Sequence, residues 1–232
     1  MSLLTIVQNA CAELSLDQPT SVVTATDAMT IQMLKLAQRA GDELARDHNW
    51  SALRVTRNFT CTGAIPEPTE PPSDWQAFAD DAMFWNKSRN FVLNGPVDAS
   101  TWQRNVIRGA APIPQIYRML GGKLAIYQNT AGEIITYEYL SANWISLAAG
   151  GTSAKWMLDT DTAIIPERVL ELSLIFRWKQ VKGLECSVEK NNYEMAKQNE
   201  IGSDRSATAF ALSLPNRGSN SPGYWPGVVS VS

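Results

Sequence analysis

The chain has 232 residues and a formal net charge of −3, and 44% of its residues are hydrophobic. This composition fits one large domain, or one domain with an insertion, and excludes a fibrous or wholly disordered protein. The acidic balance also disfavours a protein that coats nucleic acid, because such binding depends on positive charge. The unusual counts are a single histidine, His48, and eight tryptophans.

The first fifty residues predict two helices joined by a loop. Apolar residues recur at spacings of three and four over residues 3–14 and again over residues 29–44. Asp27 can cap the second helix, which is expected to end near His48. The chain start has no basic segment typical of a secretory signal, and no stretch of 18 apolar residues occurs, so we expect a soluble protein made in the cytoplasm.

The middle of the chain, residues 51–162, predicts a small antiparallel β unit. Alternating apolar and polar residues predict a strand at 53–61, and the prolines of 63–73 predict an extended loop. A short helix or turn-rich stretch is expected at 74–86 and a short helix at 99–108. Three further strands are predicted, joined by glycine-containing turns, at 116–119, 123–127 and 133–139.

Helical periodicity returns after Ile165, where Pro166 and Glu167 suit a first turn, and it continues to Gly183. A second helix is predicted from Ser187 to about Ser203. The predicted fold class is therefore α+β. It is mainly an α-helical bundle built from residues 1–50 and 163–210, with the β unit of residues 51–162 inserted and an extended tail at 211–232.

The tail is rich in Ser, Asn, Pro and Gly, so it cannot bury enough surface to fold alone. It nevertheless carries residues that suit a contact with a partner: Arg217, Tyr224, Trp225, Val228 and Val229. Two interpretations remain open at this stage. The tail is either a disordered terminus or a segment that becomes ordered when it docks on another protein.

Catalytic patterns are scarce. A Ser-His-Asp or Cys-His mechanism would have to use His48, which is better explained as a cation favoured by the dipole at a helix C-terminus or as a residue packed on Trp50. The sequence has no glycine-rich phosphate-binding motif. We expect no enzyme, no cofactor and no metal.

Two carboxylate pairs and three cysteines complete the candidate chemistry. Asp80 and Asp81 form one pair; Asp159 and Asp161 form a second, which resembles part of a calcium loop but lacks the remaining ligands and fits a turn. The cysteines are far apart and odd in number, and they predict free thiols at Cys11, Cys61 and Cys186.

The tryptophans are scattered along the chain. Trp178 has the helical spacing of a core residue. For Trp75, Trp85 and Trp225, which lie in segments rich in Pro, Gly and Asn, a partner interface and local packing are both open.

Several segments together resemble the head-to-tail adaptor, or connector, proteins of tailed bacteriophages, the class that includes tail tubular protein A. They are Leu44-Ala-Arg-Asp-His-Asn-Trp50, Tyr137-Glu-Tyr-Leu-Ser-Ala-Asn-Trp144, Lys155-Trp156, Asp159-Thr-Asp161, Ile165-Pro166-Glu167 and Trp178-Lys-Gln-Val-Lys-Gly-Leu184. The resemblance covers residues 1–50 and about 133–203.

The resemblance implies a virion structural protein at the head-tail interface, assembled in the host cytoplasm. It implies a ring of about twelve copies that binds the portal protein on one side and a tail or nozzle protein on the other. DNA would pass through the lumen without specific binding, and no membrane is involved. The tail residues, Tyr224 and Trp225 among them, would contact the portal, and Trp75 and Trp85 the tail side. The alternative is a tail-associated binding module that recognises a glycan or a tail-fibre partner through exposed aromatic residues.

Overall fold

The computed structural model describes residues 1–109 and 115–212, with side chains described up to residue 205. Its helices begin and end where capping residues permit: the side chains of Ser2, Asp27 and Asp98 each accept a hydrogen bond from a first-turn N–H. The α helices of this part of the chain are α1 (Leu3–Glu13), α2 (Ala28–Asp47), α3 (Ala99–Arg108), α4 (Glu167–Val181) and α5 (Ser187–Leu212).

Ten strands accompany these helices in the described residues. They are β1 (Arg54–Thr60), β2 (Trp75–Phe78), β3 (Trp85–Asn86), β4 (Phe91–Val92), β5 (Tyr117–Leu120), β6 (Lys123–Ile126), β7 (Ile134–Ser141), β8 (Ile145–Ser146), β9 (Thr152–Ser153) and β10 (Thr162–Ala163). A single turn of 3-10 helix at Ser51–Leu53 leads from α2 into β1.

Helices α1, α2, α4 and α5 pack around one hydrophobic core. The apolar stripe of α1 and that of α2 both pack against α4, and α5 packs against α4 as well. The periodicity of both N-terminal helices therefore predicted the correct buried faces. Leu3, Met33, Leu44, Leu170 and Leu174 are fully enclosed in this core.

The small sheet β10-β8-β9 belongs to this helical core, although the sequence placed it in the insertion. Trp144, Ile145 and Ile165 are buried among the helices, and the Trp144 ring meets Trp156 edge-on with centroids 5.2 Å apart. Trp144 also lies so close to Gly41 of α2 that a Cβ built there would come within 2.1 Å of the indole ring. This close approach requires glycine at position 41.

A separate hydrophobic core lies in the central region. Its five-stranded sheet has the order β1-β7-β3-β4, and β2 also pairs with β7; every pairing is antiparallel. Residues 135, 137 and 139 of β7 point to the core, where Phe84 stacks between Tyr117 and Tyr137 at centroid distances of 4.0 and 4.6 Å. The hairpin β5-β6 closes this core, and α3 covers the outer face of the hairpin through Trp102.

The proline-rich loop at 63–73 is tied to this second core by two buried carboxylates. Glu70 accepts hydrogen bonds from the Tyr137 hydroxyl at 2.6 Å and from the Arg57 guanidinium at 2.8 Å. Glu67 accepts from the backbone N–H and the hydroxyl of Thr62. Because a buried carboxylate must be compensated in this way, these contacts fix the loop together with the backbone hydrogen bonds that Glu67 and Glu70 make with Leu124 of β6.

The prediction of a mainly helical bundle with a small β insertion is wrong. The protein is α+β with a β-rich central region that has its own aromatic core and two sheets. The sequence did not predict β2, β3 and β4 because these strands are only two to four residues long, too short to show an alternation of apolar and polar residues. The stretch 74–86, expected as a short helix or turns, instead contributes β2 and β3, both paired with β7.

Candidate functional site

An exposed apolar surface of the helical unit lies on α5 and the turn before it. Exposed apolar side chains continue from the end of α4 onto α5: Val181, Leu184, Val188 and Met195 are between 55 and 66% exposed. Scattered single apolar residues are normal on a surface, but a connected row is typical of an interaction site.

The rest of this helix face carries no charge over three turns. We define the α5 outer face as its exposed residues of helical spacing, namely Val188, Asn191, Asn192, Met195, Gln198 and Asn199. Of the charged residues of α5, Glu189 pairs with Lys179 and Lys197 pairs with Asp47 and Glu194, whereas Lys190 is exposed and Glu200 lines a neighbouring groove. The α5 outer face is therefore set apart from the polar, ion-paired sides of the same helix.

A groove runs along this face. It has a volume of about 510 Å³ and is lined by α5 together with Glu13 of α1 and with Arg168 and Leu172 of α4. Its lining mixes the apolar side chains of Leu172, Met195 and Ala196 with the charged side chains of Glu13, Arg168 and Glu200. The sequence signal for this site was present in the spacing of Val188, Asn192, Met195 and Asn199, four and three residues apart, but it was weak because two of the four are asparagine.

His48 has a structural position. It closes α2, its ring meets Trp50 edge-on at 4.8 Å, and its Nε2 lies 2.9 Å from the Asp204 carboxylate of α5. Burial alone would raise the pKa of Asp204, but hydrogen bonds from Ser51 and His48 outweigh it and lower that pKa. The packing of His48 on Trp50 is as the sequence predicted, and the link to α5 is the part that the sequence did not show.

The second carboxylate pair organises loops. Asp161 is fully buried and accepts hydrogen bonds from the backbone N–H groups of Ala148, Met157 and Leu158 at 2.7 to 3.0 Å. Burial would raise the pKa of Asp161, yet these three donors lower it. Asp159 accepts from the backbone N–H groups of Val22 and Val23 in the α1–α2 connection. The turn interpretation of this pair is confirmed.

The remaining titratable candidates are not gathered into a site. Asp80 and Asp81 are exposed, and Asp81 pairs with Arg54 at 2.9 Å. Cys11 and Cys61 are buried free thiols, and burial, reinforced by nearby carboxylates, raises the pKa of Cys61 to about 12. Across residues 1–109 and 115–212, His, Cys, Asp and Glu side chains form no group of three that could hold a metal.

The two tail-side candidates, Trp75 and Trp85, lie on opposite faces of the central sheet. Trp75 pairs with Ser141 on the core side and packs against Phe78, with centroids 5.3 Å apart. Trp85 pairs with Thr136, and the residues two positions before and after Thr136 on β7 are exposed. Trp85 therefore lies on the outward face of the sheet. Each ring is half-buried, so the structure does not bring them together in one aromatic platform.

The other tryptophans of the described chain are core residues. Trp178 is 5% exposed, as its spacing predicted, and Trp50, Trp102, Trp144 and Trp156 are also buried. The five portal-side candidates, Arg217, Tyr224, Trp225, Val228 and Val229, lie outside the described residues. Residues 211 and 212, which the sequence assigned to the tail, are the last residues of α5.

Fold and surface together define an α+β protein in which a four-helix unit presents an unpartnered face and carries a separate β unit. The chain matches no protein-family model and no curated protein. In the described part of the chain, no helix is both long and apolar enough to cross a membrane.

Proposed function

We propose that this protein is a structural, non-enzymatic subunit of a bacteriophage head-to-tail connector. Copies assemble into a ring that joins the portal to the tail in the virion, and DNA passes through its lumen. The resemblance of residues 1–50 and 133–203 to connector proteins supports this proposal. A closed ring needs a heterologous contact, in which one surface of each subunit meets a different surface of the next.

The observation that carries the proposal is the α5 outer face with its groove. Val188 and Met195 are more than 60% exposed on an ordered helix, and Met195 also lines the groove. Burying such side chains against a neighbouring subunit would contribute roughly 1.5 to 3 kcal/mol each, which is the scale at which a few residues decide an association. The distribution of apolar surface therefore favours assembly.

The glycan-binding alternative has less support. A sugar platform needs coplanar exposed aromatic rings, whereas Trp75 and Trp85 occupy opposite faces of a sheet and the other described tryptophans are buried. The alternative would regain support if a soluble glycan saturated the protein at a defined stoichiometry.

Charged substitutions on the α5 outer face test the proposal. Val188→Lys combined with Met195→Lys is expected to shift sedimentation from ring towards monomer in the presence of portal protein, because lysine would have to be buried at the contact. Met157→Lys is the matched control, since Met157 is 59% exposed on a loop outside this face. If the control and the double variant assemble equally well, the α5 outer face is not the subunit contact.

Removing residues 213–232 tests the portal contact separately. We expect weaker portal binding, while the described helices, all of which lie before residue 213, should keep their circular dichroism signal. Unchanged portal affinity would remove the tail from the proposal.

A further inference from the structure

Positive charge is concentrated in one part of this acidic chain. Between Asp98 and Glu133 the sequence contains no acidic residue, although Asp and Glu number 23 in the whole chain. The structure folds the basic part of this interval into one unit, α3 on the hairpin β5-β6, which we call the basic module. Its four cationic side chains are Arg104, Arg108, Arg118 and Lys123.

The hairpin register places two of these cations on one face. Arg118 pairs with Ala125, and Lys123 pairs with Leu120, so all four side chains lie on the side of the hairpin that carries Tyr127. This is the face that Trp102 of α3 covers. The Arg118 guanidinium lies over the Trp102 ring, 5.8 Å from its centroid, and Arg118 is partly exposed. The opposite face of the hairpin points into the aromatic core.

Helix α3 supplies the other two cations. Its one buried residue is Trp102, and Arg104 and Arg108, one turn apart, project from the side of the helix away from it. The neighbouring acidic groups are already engaged: Asp98 caps α3, Glu67 and Glu70 are buried, and Glu133 pairs with Arg89. None of the four cations forms an ion pair with a described residue.

We infer that the basic module is a contact surface for the phosphate backbone of double-stranded DNA, and that in the proposed ring it faces the lumen. This inference rests on the proposed function for its location and on the charge pattern for its ligand. DNA presents a phosphate at every step along both strands, so cations spread over a helix and a hairpin can all find partners. Contacts made by long side chains to phosphate carry no sequence information, which suits a surface that DNA slides past.

An acidic protein surface is the competing partner, because Ile107 is 81% exposed beside the arginines and would suit a protein contact. Such a partner would need a carboxylate opposite each cation. The two partners differ in a measurable way, since DNA binding depends on salt through counterion release.

The test is fluorescence anisotropy of a mixed-sequence DNA duplex with the full-length chain, free and assembled with portal, over a range of salt concentrations. If all four cations contact phosphate, log K should fall with log salt with a slope of about −3.6 for each engaged subunit. In Arg104→Gln, Arg108→Gln, Arg118→Gln the slope should fall to about −1, with affinity reduced more than tenfold at low salt.

The matched control removes the same charge from the helical unit. Lys35, Lys155 and Lys190 are exposed, and Lys35→Gln, Lys155→Gln, Lys190→Gln should leave the slope unchanged. The double variant Arg104→Gln, Arg108→Gln keeps Arg118 against Trp102, so it reports on DNA contact even if the triple variant is destabilised; its slope should change by about 1.8.

The inference is overturned if wild type does not bind the duplex at low salt, if both triple variants weaken binding equally, or if polyglutamate of matched charge binds more tightly than DNA. The proposed function is judged by a separate readout, the mass of the assembly. A ring that forms with portal but shows no DNA contact refutes the inference alone, whereas DNA binding by a chain that never assembles refutes the proposed function.

Discussion

Gly41 of α2 and Trp144, which directly precedes β8, are in close contact in the helical core, and this contact gives a sharp test of the structure. Alanine usually stabilises a helix relative to glycine by about 1 kcal/mol. Here the added Cβ would lie 2.1 to 2.5 Å from three carbon atoms of the Trp144 ring, where ordinary contacts are about 3.5 to 4 Å. The ring would have to move by more than 1 Å.

Two costs follow from this movement. Overpacking a dense core costs about 1 to 3 kcal/mol. The Trp144 indole N–H also donates to Asp42 at 2.9 Å, and losing a hydrogen bond to a charged group costs about 1.5 to 3 kcal/mol. After the helix-propensity gain is subtracted, Gly41→Ala should lower the free energy of unfolding by about 1.5 to 5 kcal/mol.

The assay is chemical and thermal denaturation of Gly41→Ala beside Gly202→Ala. Gly202 is also helical, on α5, but among the described residues no atom outside its own stretch of helix lies within 4 Å of the position that its Cβ would take. Gly202→Ala should therefore raise stability by up to about 1 kcal/mol, or about 2 to 4 °C in Tm. Adding Trp144→Leu to Gly41→Ala should cost less than the two single effects together, because leucine leaves room for the new methyl group. Equal stabilisation by both alanine variants would refute the placement of Trp144.

Three further outcomes are expected. Iodoacetamide should label Cys186 in the native protein and reach Cys11 and Cys61 only after denaturation, since the latter two are buried; peptide mapping that finds Cys61 labelled first would contradict the fold. Asp161 has a lowered pKa, so its contribution to stability is present above about pH 4 and is lost as pH falls through its folded pKa. The melting temperature should therefore fall less between pH 6 and pH 3 for Asp161→Asn than for wild type. An equal fall in both proteins would refute that role. Trp102→Ala should lower the free energy of unfolding by about 3 to 5 kcal/mol. It should raise the rate of amide hydrogen exchange in α3 more than in the four-helix unit. An unchanged exchange rate in α3 would show that other contacts hold this helix.

The sequence predicted the elements whose pattern is long. The helical hairpin, α4, the start of α5 and strand β1 were found because their periodicity persists over seven or more residues. Strands β5, β6 and β7 were located because glycine-containing turns separate them. Local pattern and local structure agree in these segments.

Elements that depend on distant partners were missed. β3 has two residues and exists because Trp85 and Asn86 pair with Thr136 and Ile135 of β7, some fifty residues away. Similarly, the burial of Glu67 and Glu70 depends on Thr62, Arg57 and Tyr137, and nothing in a loop rich in proline indicates it. Long-range pairing of this kind leaves no local periodicity to detect.

The candidate surfaces show the same division. Trp75 and Trp85 were chosen by residue type, and only the register of β7 shows that they face opposite sides. The basic module was visible as an interval without acidic residues, but its meaning depends on the hairpin register that places Arg118 and Lys123 beside α3. The net charge of −3 for the whole chain does not show this local excess of positive charge.

Light scattering that measures the molar mass of the protein alone and mixed with its portal tests the proposal that this protein assembles into a connector ring. We expect a complex with portal whose mass includes a ring of many 25.5 kDa subunits. A mass that stays near 25.5 kDa in both samples would contradict it.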